Sequence, residues 1–120
     1  MATIQETLDA ANDFRNKVNE NKKIQKLLKR WSPLIHFETM NDEVKLSLDI
    51  TGGEIATVND GHIGDADLVI TFPDSDELHD MFSGRMNPTQ KYLNGDIRVL
   101  GHQADVIKLD TITMILWPEL

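Results

Sequence analysis

The sequence predicts an α+β fold in which helices pack on one face of a five-stranded, mainly antiparallel sheet. Two changes of hydrophobic period support this fold class. Between residues 34 and 72 apolar side chains alternate with polar ones, whereas before and after this segment they recur every three or four residues. A further short run after Gly95 supplies the fifth strand. At 120 residues, 40% of them hydrophobic, the chain is long enough for one core, so we expect a single domain over residues 1–120.

The first thirty residues predict two amphipathic helices. The apolar positions of the first helix are spaced by three or four residues and are Ile4, Leu8, Ala11, Phe14 and Val18. Those of the second helix are Ile24, Leu27, Leu28 and Trp31. Pro33 follows, and its ring disfavours continuation of a helix. Each helix therefore presents an apolar stripe that needs a partner surface.

Four strands are predicted between these helices and residue 73. Their expected bounds are Leu34–Thr39, Val44–Ile50, Glu54–Val58 and Asp67–Phe72. Glycine-containing turns separate the second strand from the third and the third from the fourth, since Asn, Asp and Gly tolerate positive φ angles. Because these loops are short, we expect an antiparallel meander.

The pattern after Phe72 predicts three further helices and a strand. Asp74 is placed to cap a helix that carries Leu78, Met81 and Phe82 on one face and that ends at Ser83-Gly84. Asn87 and Pro88 begin the next helix, and Ile97–Leu100 forms the last strand. The final helix, residues 103–117, is apolar over too broad an arc for a surface stripe. It should be packed on several sides or face a ligand.

The sequence contains no arrangement of residues that is typical of catalysis. The histidines at 36, 62, 79 and 102 are separated by 26, 17 and 23 residues, so none of them form a metal-binding pair on one helix or strand. There is no cysteine, and no GxSxG, P-loop or GxGxxG motif occurs. We therefore expect no catalytic residue, no bound metal and no cofactor, and we do not expect an enzyme.

The net charge of −8 is unevenly distributed along the chain. Residues 1–30 hold seven Lys and Arg against four Asp and Glu, whereas residues 31–120 hold five against sixteen. The acidic body argues against a nucleic-acid partner. The basic head favours a weak peripheral contact with an anionic membrane, or else forms an ordinary solvated helix face. With no apolar run of about 18 residues and no signal peptide, we expect a cytoplasmic protein.

Two short motifs carry a resemblance to a known family. They are Ser83-Gly84-Arg85-Met86-Asn87-Pro88 and the strand segment Gly95-Asp96-Ile97-Arg98-Val99-Leu100-Gly101. Over residues 34–110 the chain resembles the sterol carrier protein type-2 lipid-binding domain family. The resemblance implies a hydrophobic tunnel between the sheet and the helices, walled by segments 78–93 and 104–117. Asp105 departs from the family pattern, because it places a charge where small or apolar residues are usual.

The resemblance also implies a set of ligand-binding side chains around a pocket larger than about 300 Å³. The expected ligand-binding residues are Trp31, Leu78, Met81, Phe82, Met86, Tyr92, Leu93, Ile107, Ile112, Met114 and Ile115. Taken by periodicity alone, these residues would instead fill an ordinary core. The hydroxyl of Tyr92 either meets a ligand headgroup at the cavity mouth or makes a structural hydrogen bond.

Three functions are compatible with these observations. The first is the binding and carriage of a fatty acyl, isoprenoid or sterol-like lipid. The second is an accessory role in which the domain presents an apolar biosynthetic intermediate, such as a quinone precursor. The third is a ligand-free interaction module, dimeric through an uncovered sheet edge. The expected partner is thus an apolar small molecule, and the expected state is a monomer or a homodimer.

Overall fold

A computed structural model describes residues 2–119 and confirms the predicted fold class. Within these residues five helices and five strands follow one another as α1 Ile4–Glu20, α2 Lys22–Leu28, β1 Leu34–Thr39, β2 Lys45–Thr51, β3 Glu54–Asp60, β4 Leu68–Phe72, α3 Ser75–Phe82, α4 Pro88–Leu93, β5 Arg98–Leu100 and α5 Gln103–Leu116. The strands form one sheet in the order β3-β2-β1-β4-β5. Asp74 and Asn87 cap α3 and α4 through their side chains, as predicted.

Three of the four strand pairings are antiparallel, as predicted, but the expected continuous meander is wrong. The meander covers only β1 to β3, and β4 pairs with β1 in parallel rather than returning beside β3. The segment from 61 to 67 makes this crossover. Seven extended residues reach about 23 Å, whereas the three strand spacings from β3 to β4 total only about 14 Å. A loop without a helix is therefore long enough to make the connection.

The crossover segment is held on the outer face of the sheet by polar contacts. The rings of His36 and His62 stack with centroids 4.3 Å apart. The Nε2 atom of His36 lies 2.9 Å from the carbonyl oxygen of Ile63, and that of His62 lies 3.1 Å from the carbonyl oxygen of Phe37. Both distances are within hydrogen-bond range. The Ser47 hydroxyl donates to the Gly61 carbonyl at 2.6 Å. These histidines therefore have a structural role, since they fix the segment that makes the sheet mixed.

The inner face of the sheet carries the core. Inward rows of Ile, Leu, Val and Phe on the strands join buried residues of the helices in one apolar cluster. Phe37 of the central strand meets Phe82 of α3 edge-on, with ring centroids 5.2 Å apart. Phe82 in turn lies 5.5 Å from Phe14 of α1. Aromatic contacts of this geometry stabilise beyond the area they bury, and here they join both helices to the sheet.

Helix α1 also covers the edge of the sheet at β3. The Arg15 side chain donates to the carbonyl oxygens of Ile55 and Ala56 at 2.9 and 2.7 Å. The Asn19 side chain pairs with both the N–H and the carbonyl of Ile55. Unpaired backbone groups on an edge strand invite pairing with another chain. These two side chains occupy such groups and so protect this part of the β3 edge against pairing with another chain.

Two of the three glycines in the sequence motifs have identifiable steric roles. Gly84 adopts φ +76°, and a Cβ added there would lie 2.3 Å from the ring of Trp117. Gly101 adopts φ +135°, and its Cβ would lie 2.9 Å from the carbonyl oxygen of Asp67. Only glycine combines these backbone angles with such close approach. The motif between α3 and α4 therefore accommodates the ring of Trp117, which follows Gly84 by 33 residues in the chain.

A single carboxylate joins the β1–β2 turn to the start of α3. Asp42 accepts hydrogen bonds from the Thr39 hydroxyl at 2.6 Å and from the backbone N–H and the hydroxyl of Ser75, the N–H at 3.2 Å. Partial burial opposes ionisation of this group. The hydrogen bonds from Ser75 and Thr39 outweigh burial and hold the pKa of Asp42 below its ordinary value.

We expect Gly84→Ala to destabilise the fold by about 2 kcal/mol or more, because the new methyl group meets the Trp117 ring in a backbone conformation that disfavours alanine. Gly52→Ala is the matched control. Gly52 also has a positive φ, +68°, but its Cβ would meet nothing within 4 Å. Urea unfolding measures both. Equal losses in the two variants would show that Trp117 does not exclude a side chain at position 84.

We expect Asp42→Asn to destabilise the protein at pH 7 by about 1–2 kcal/mol, since charge-assisted hydrogen bonds are lost. The native pKa is lowered, so this contribution is complete above the unfolded-state pKa and disappears as the pH falls through the folded-state pKa. The difference between variant and wild type should thus close only at a pH below the ordinary aspartate pKa of about 3.9. Urea unfolding from pH 7 to pH 2 measures it, with exposed Asp65→Asn as the control. A difference that is constant with pH would contradict the assignment.

Candidate functional site

An apolar cleft of about 230 Å³ lies between α2 with the turn that follows it and α5. Seven residues line it, and they are Lys26, Leu27, Arg30, Trp31, Lys108, Thr111 and Ile112. Trp31 and Ile112 are buried and form the floor. Leu27 lies at the mouth, with its side chain 41% exposed. The cleft therefore leads from the surface down to the apolar core.

Local sequence spacing creates this cleft. Lys26 and Arg30 are four residues apart, as are Leu27 and Trp31, so both pairs project from the same side of the α2 segment. Backbone N–H groups of Arg30 and Trp31 donate to carbonyls three residues earlier, which continues the helical path beyond Leu28. On α5 the lining residues follow the same three- and four-residue spacing. Two short helical faces thus meet along one groove.

Trp31 is fixed in the floor by a polar contact. Its indole N–H donates to the Asp105 carboxylate at 3.0 Å, and Lys108 Nζ lies 5.7 Å from the ring centroid. Asp105 belongs to the first turn of α5, where a negative charge is favoured by the helix dipole. This explains the departure from the family pattern. The carboxylate at position 105 accepts the hydrogen bond of a buried tryptophan that also lines the cleft.

Three cations stand around the apolar floor. The side chains of Lys26, Arg30 and Lys108 are exposed, and within residues 2–119 none of them forms an ion pair with a carboxylate. Their charges are therefore free to meet an anionic group outside the cleft. A wider and more open groove of about 480 Å³ lies near the N-terminus, but it is lined by Asp42, Glu43 and Asp60, and its carboxylates suit an apolar ligand less well.

The structure distributes the eleven expected ligand-binding residues over three environments. Trp31 and Ile112 line the cleft. Those that lie in the closed core are Leu78, Met81, Phe82 and Met86, while Tyr92 and Ile115 pack against the core from its edge. The exposed ones are Leu93, Ile107 and Met114, at 72%, 53% and 53%. One continuous wall of these side chains is therefore not formed in this conformation.

The position and size of the cleft differ from the expectation. We expected a pocket above about 300 Å³ between the sheet and residues Leu78, Phe82, Leu93 and Ile112. Instead, Leu78 and Phe82 are packed against other core side chains, and only Ile112 of these four residues borders the cleft of about 230 Å³. The physical reason is that large aromatic and aliphatic side chains fill the space between sheet and helices.

Five of the lining residues were missed from the sequence. Helical spacing assigns Leu27 to the core stripe of α2, and Thr111 is a polar residue within the mostly apolar last helix. The cations at 26, 30 and 108 belong to faces that charge alone marks as solvated. The signal that was available is the four-residue spacing that alternates cation and apolar residue, Lys26-Leu27 and then Arg30-Trp31. Such a pattern places an apolar stripe directly beside a basic one.

Comparison with known proteins establishes the family. A family model described as the SCP-2 sterol transfer family matches residues 11–113. The chain belongs to this family. Membership implies that the domain binds or transfers an apolar lipid, and domains of the family are generally carriers rather than catalysts. No curated protein matches the chain significantly.

Solved structures agree with the family at the level of the fold. Sterol carrier protein 2 from Yarrowia lipolytica, in its apo form, is 21% identical with a TM-score of 0.65, over 89% of this chain and 86% of that one. The sterol carrier protein domain 2 of Helicoverpa armigera is 14% identical with a TM-score of 0.75, over 96% and 91%. The ubiquinone synthesis protein UbiJ-SCP2 is 15% identical with a TM-score of 0.72, over 92% and 94%.

Two further features of the described chain concern other classes of site. In residues 2–119 no helix is long and apolar enough to cross a membrane. Over the same residues no three His, Asp or Glu side chains are grouped so that they could hold a metal ion.

We expect Asp105→Ala to lower the free energy of unfolding by about 1–2 kcal/mol, because the indole N–H of Trp31 loses its acceptor. In the Asp105→Ala background, Trp31→Phe should lower the free energy of unfolding by less than it does in the wild type, since the hydrogen bond is already absent. A double-mutant cycle by urea unfolding should give a coupling energy of about 1 kcal/mol. The exposed Asp65→Ala paired with Trp31→Phe serves as the control, for which additive effects are expected. Additivity of the Asp105 and Trp31 variants would contradict the contact.

Proposed function

We propose that this protein binds and carries an apolar small molecule of the fatty acyl, isoprenoid or sterol-like class, and that the cleft between α2 and α5 is where the molecule enters. The observation that carries the proposal is the apolar floor of Trp31 and Ile112, open to the surface beside Leu27. An exposed apolar depression in a carrier family is best explained by a ligand that removes it from water.

The energetics suit reversible carriage. Each methylene taken from water contributes roughly 0.8 kcal/mol, so a chain of about fifteen methylenes contributes on the order of 12 kcal/mol before costs. Lost translational freedom and ordering of the ligand remove at least several kcal/mol of this. The remainder corresponds to an affinity that permits both uptake and release. Neither a catalytic group nor a cofactor is needed for such a function.

The cleft accepts only part of such a molecule, so the proposal requires α5 to yield. Two properties of this helix support that requirement. Its side chains are apolar on both sides, with Val106 and Leu109 buried while Ile107 and Met114 are exposed. In addition, Asp110 is buried, and within residues 2–119 its Oδ1 has no hydrogen-bond partner. An unsatisfied buried carboxylate oxygen costs about 1–3 kcal/mol, which lowers the penalty for moving the helix.

In the opened state we assign the rest of the binding surface to side chains of the same apolar core. These are Leu78, Met81, Phe82 and Met86, which the family resemblance implies to be ligand-binding. Methionine side chains adapt to ligands of varied shape. A cytoplasmic location and a monomeric or homodimeric state stay predictions from the sequence.

A second candidate is an accessory role in which the same cleft presents an isoprenoid intermediate. The structural likeness to a ubiquinone synthesis protein favours it as an alternative. Mass spectrometry of lipids extracted from the purified protein distinguishes the two. Fatty acids or sterols in the extract support the carrier, whereas a quinone or prenylated precursor supports the accessory role.

We expect Thr111→Trp to weaken binding of a fluorescent fatty acid at least tenfold, because an indole in the cleft occupies the volume that the acyl chain would take. Leu93→Trp is the matched control. The Leu93 side chain is exposed and borders no part of the cleft, so the same increase in size should leave the affinity unchanged. Fluorescence titration measures both variants, and circular dichroism checks their folding.

Two results would count against the proposal. Absence of fatty-acid binding by the wild-type protein, together with an extract free of lipid, would favour the ligand-free interaction module. An equal loss of fatty-acid affinity in Thr111→Trp and Leu93→Trp would show that the ligand binds outside the cleft between α2 and α5. Quenching of Trp31 fluorescence on titration gives an independent check, since Trp31→Phe should remove that signal while Trp117→Phe should retain it.

A further inference from the structure

The outer face of the sheet carries a short apolar row. Cross-strand partners point to the same face, so the register identifies this row as Ser47 on β2, His36 on β1, Val69 on β4 and Leu100 on β5. Leu100 is 74% exposed, and Val69 is half-buried. Ile63 of the crossover segment lies over the same row, because its N–H donates to the Ser47 hydroxyl at 2.8 Å, and its side chain is 50% exposed. Large apolar side chains are thus left uncovered on the side of the sheet opposite the helices.

One end of this outer face is acidic. Leu34, at the start of β1, has Asp49 as its partner on β2, and its N–H donates to the Asp67 carboxylate at 2.9 Å. Both aspartates lie two residues from the apolar row, which keeps them on the outer face. Asp65 adds an exposed carboxylate from the crossover segment. Carboxylates therefore lie beside the row at the end where β1 and β4 begin.

The opposite end of the same face is basic. Lys45 on β2 and Arg98 on β5 are both exposed, and each lies two residues from the apolar row. Glu38 and Thr71 lie between them on β1 and β4. Within residues 2–119 neither Lys45 nor Arg98 forms an ion pair with a carboxylate. The row thus separates two unpaired cations from a group of carboxylates.

We propose that two copies of the chain associate through this outer face, related by a two-fold axis that runs along the apolar row. Rotation about this axis stacks the two sheets and reverses the direction of the strands. Residues near the axis meet their own counterparts, so Leu100, Val69 and Ile63 of both copies are removed from water together. The cleft between α2 and α5 lies on the helical side and stays open, so this association goes beyond the proposed function.

The same rotation brings opposite charges together. Lys45 and Asp49 lie two residues to either side of the axis on β2, so Lys45 of one copy comes opposite Asp49 of the other. Arg98 likewise comes close to Asp67, which directly precedes the neighbouring strand β4. Each of these pairs forms twice in the dimer. Complementary potentials of this kind fix the orientation of two partners and speed their encounter.

This distribution of charge favours a second copy over other occupants of the face. A uniformly charged surface, such as an anionic bilayer or a polycation, would meet like charge at one end or the other. The same face turned about the two-fold axis meets opposite charge at both ends. Because few large apolar side chains are buried, we expect a small, reversible interface rather than an obligate one.

Cross-linking near the axis tests the arrangement, because the chain contains no cysteine of its own. Leu100→Cys should give a covalent dimer with a short bis-maleimide, since stacked sheets bring the two positions within about 10 Å of each other. Leu93→Cys is the matched control. Leu93 is 72% exposed but lies on α4, on the helical side of the sheet, so its cross-linked fraction should be at least about tenfold lower.

Charge reversal tests the complementarity. Lys45→Asp with Arg98→Asp makes both ends of the face acidic, so the dimer dissociation constant measured by sedimentation velocity should rise about tenfold or more. The control, Lys22→Asp with Lys23→Asp, changes the net charge by the same amount in the first turn of α2, where a carboxylate is favoured. This control should associate as the wild type does. Association of the wild type should weaken between about 0.05 M and 0.5 M salt.

Mixing of variants separates lost complementarity from lost folding. Asp49→Lys with Asp65→Lys makes both ends of the face basic, so this variant should also be monomeric by itself. Combined in equal amounts with the Lys45→Asp, Arg98→Asp variant, it should form a heterodimer, because each acidic end then meets a basic one. Misfolded variants would not recover association on mixing.

Several results would overturn the proposal. One is a wild-type protein that sediments as a monomer up to about 0.5 mM at low salt. Another is equal cross-linking of Leu100→Cys and Leu93→Cys, or a mixture of the charge variants that stays monomeric. A dimer that cross-links at position 100 but tolerates Lys45→Asp would assign association to pairing along the β5 edge, since β2 lies three strands away from β5. Fatty-acid titration is scored separately, so failure of the dimer and failure of the cleft are distinguishable.

Discussion

The contact between Phe37, Phe82 and Phe14 is the interaction on which the arrangement of the layers depends. Phe37 lies on the central strand β1, and the two other rings come from α3 and α1 at 5.2 and 5.5 Å in succession. Trp117 continues this row of rings, 6.1 Å from Phe14. Each buried ring contributes roughly 1.5–3 kcal/mol, and the contact commits α1 and α3 to the inner face of the sheet. The remaining helices have to cover the part of the inner face that α1 and α3 leave uncovered.

This constraint explains why the cleft lies where it does. Helix α5 is anchored at its two ends, by Asp105 to Trp31 near the start and by Trp117 on Gly84 and Phe14 at the end. Between these anchors its side chains meet α2 along only part of their length, and the cleft occupies the gap. Motion of α5 that retains both ends would widen the cleft without disturbing the aromatic row. The buried oxygen of Asp110 lies in the same middle part of the helix.

How well the sequence predicts each feature of this structure depends on whether the interaction behind it is local in the chain or joins residues that are distant in the chain. The alternation along β2 and the capping residues Asp74 and Asn87 are local, and the structure has them as expected. The parallel pairing of β4 with β1 depends on where the seven-residue loop 61–67 places β4. The local sequence pattern does not indicate this position. Gly84 was recognisable as a motif residue, but its cause lies in Trp117, which is distant in the chain.

The candidate site shows the same division. Trp31 and Ile112 were expected from apolarity and do border the cleft, whereas Leu93 has the same apolarity and lies at the surface. Hydropathy indicates that a side chain favours burial, but it does not indicate whether the fold itself or a binding partner buries that side chain. The exposed apolar residues of α5, Ile107 and Met114, are those that the fold itself leaves uncovered.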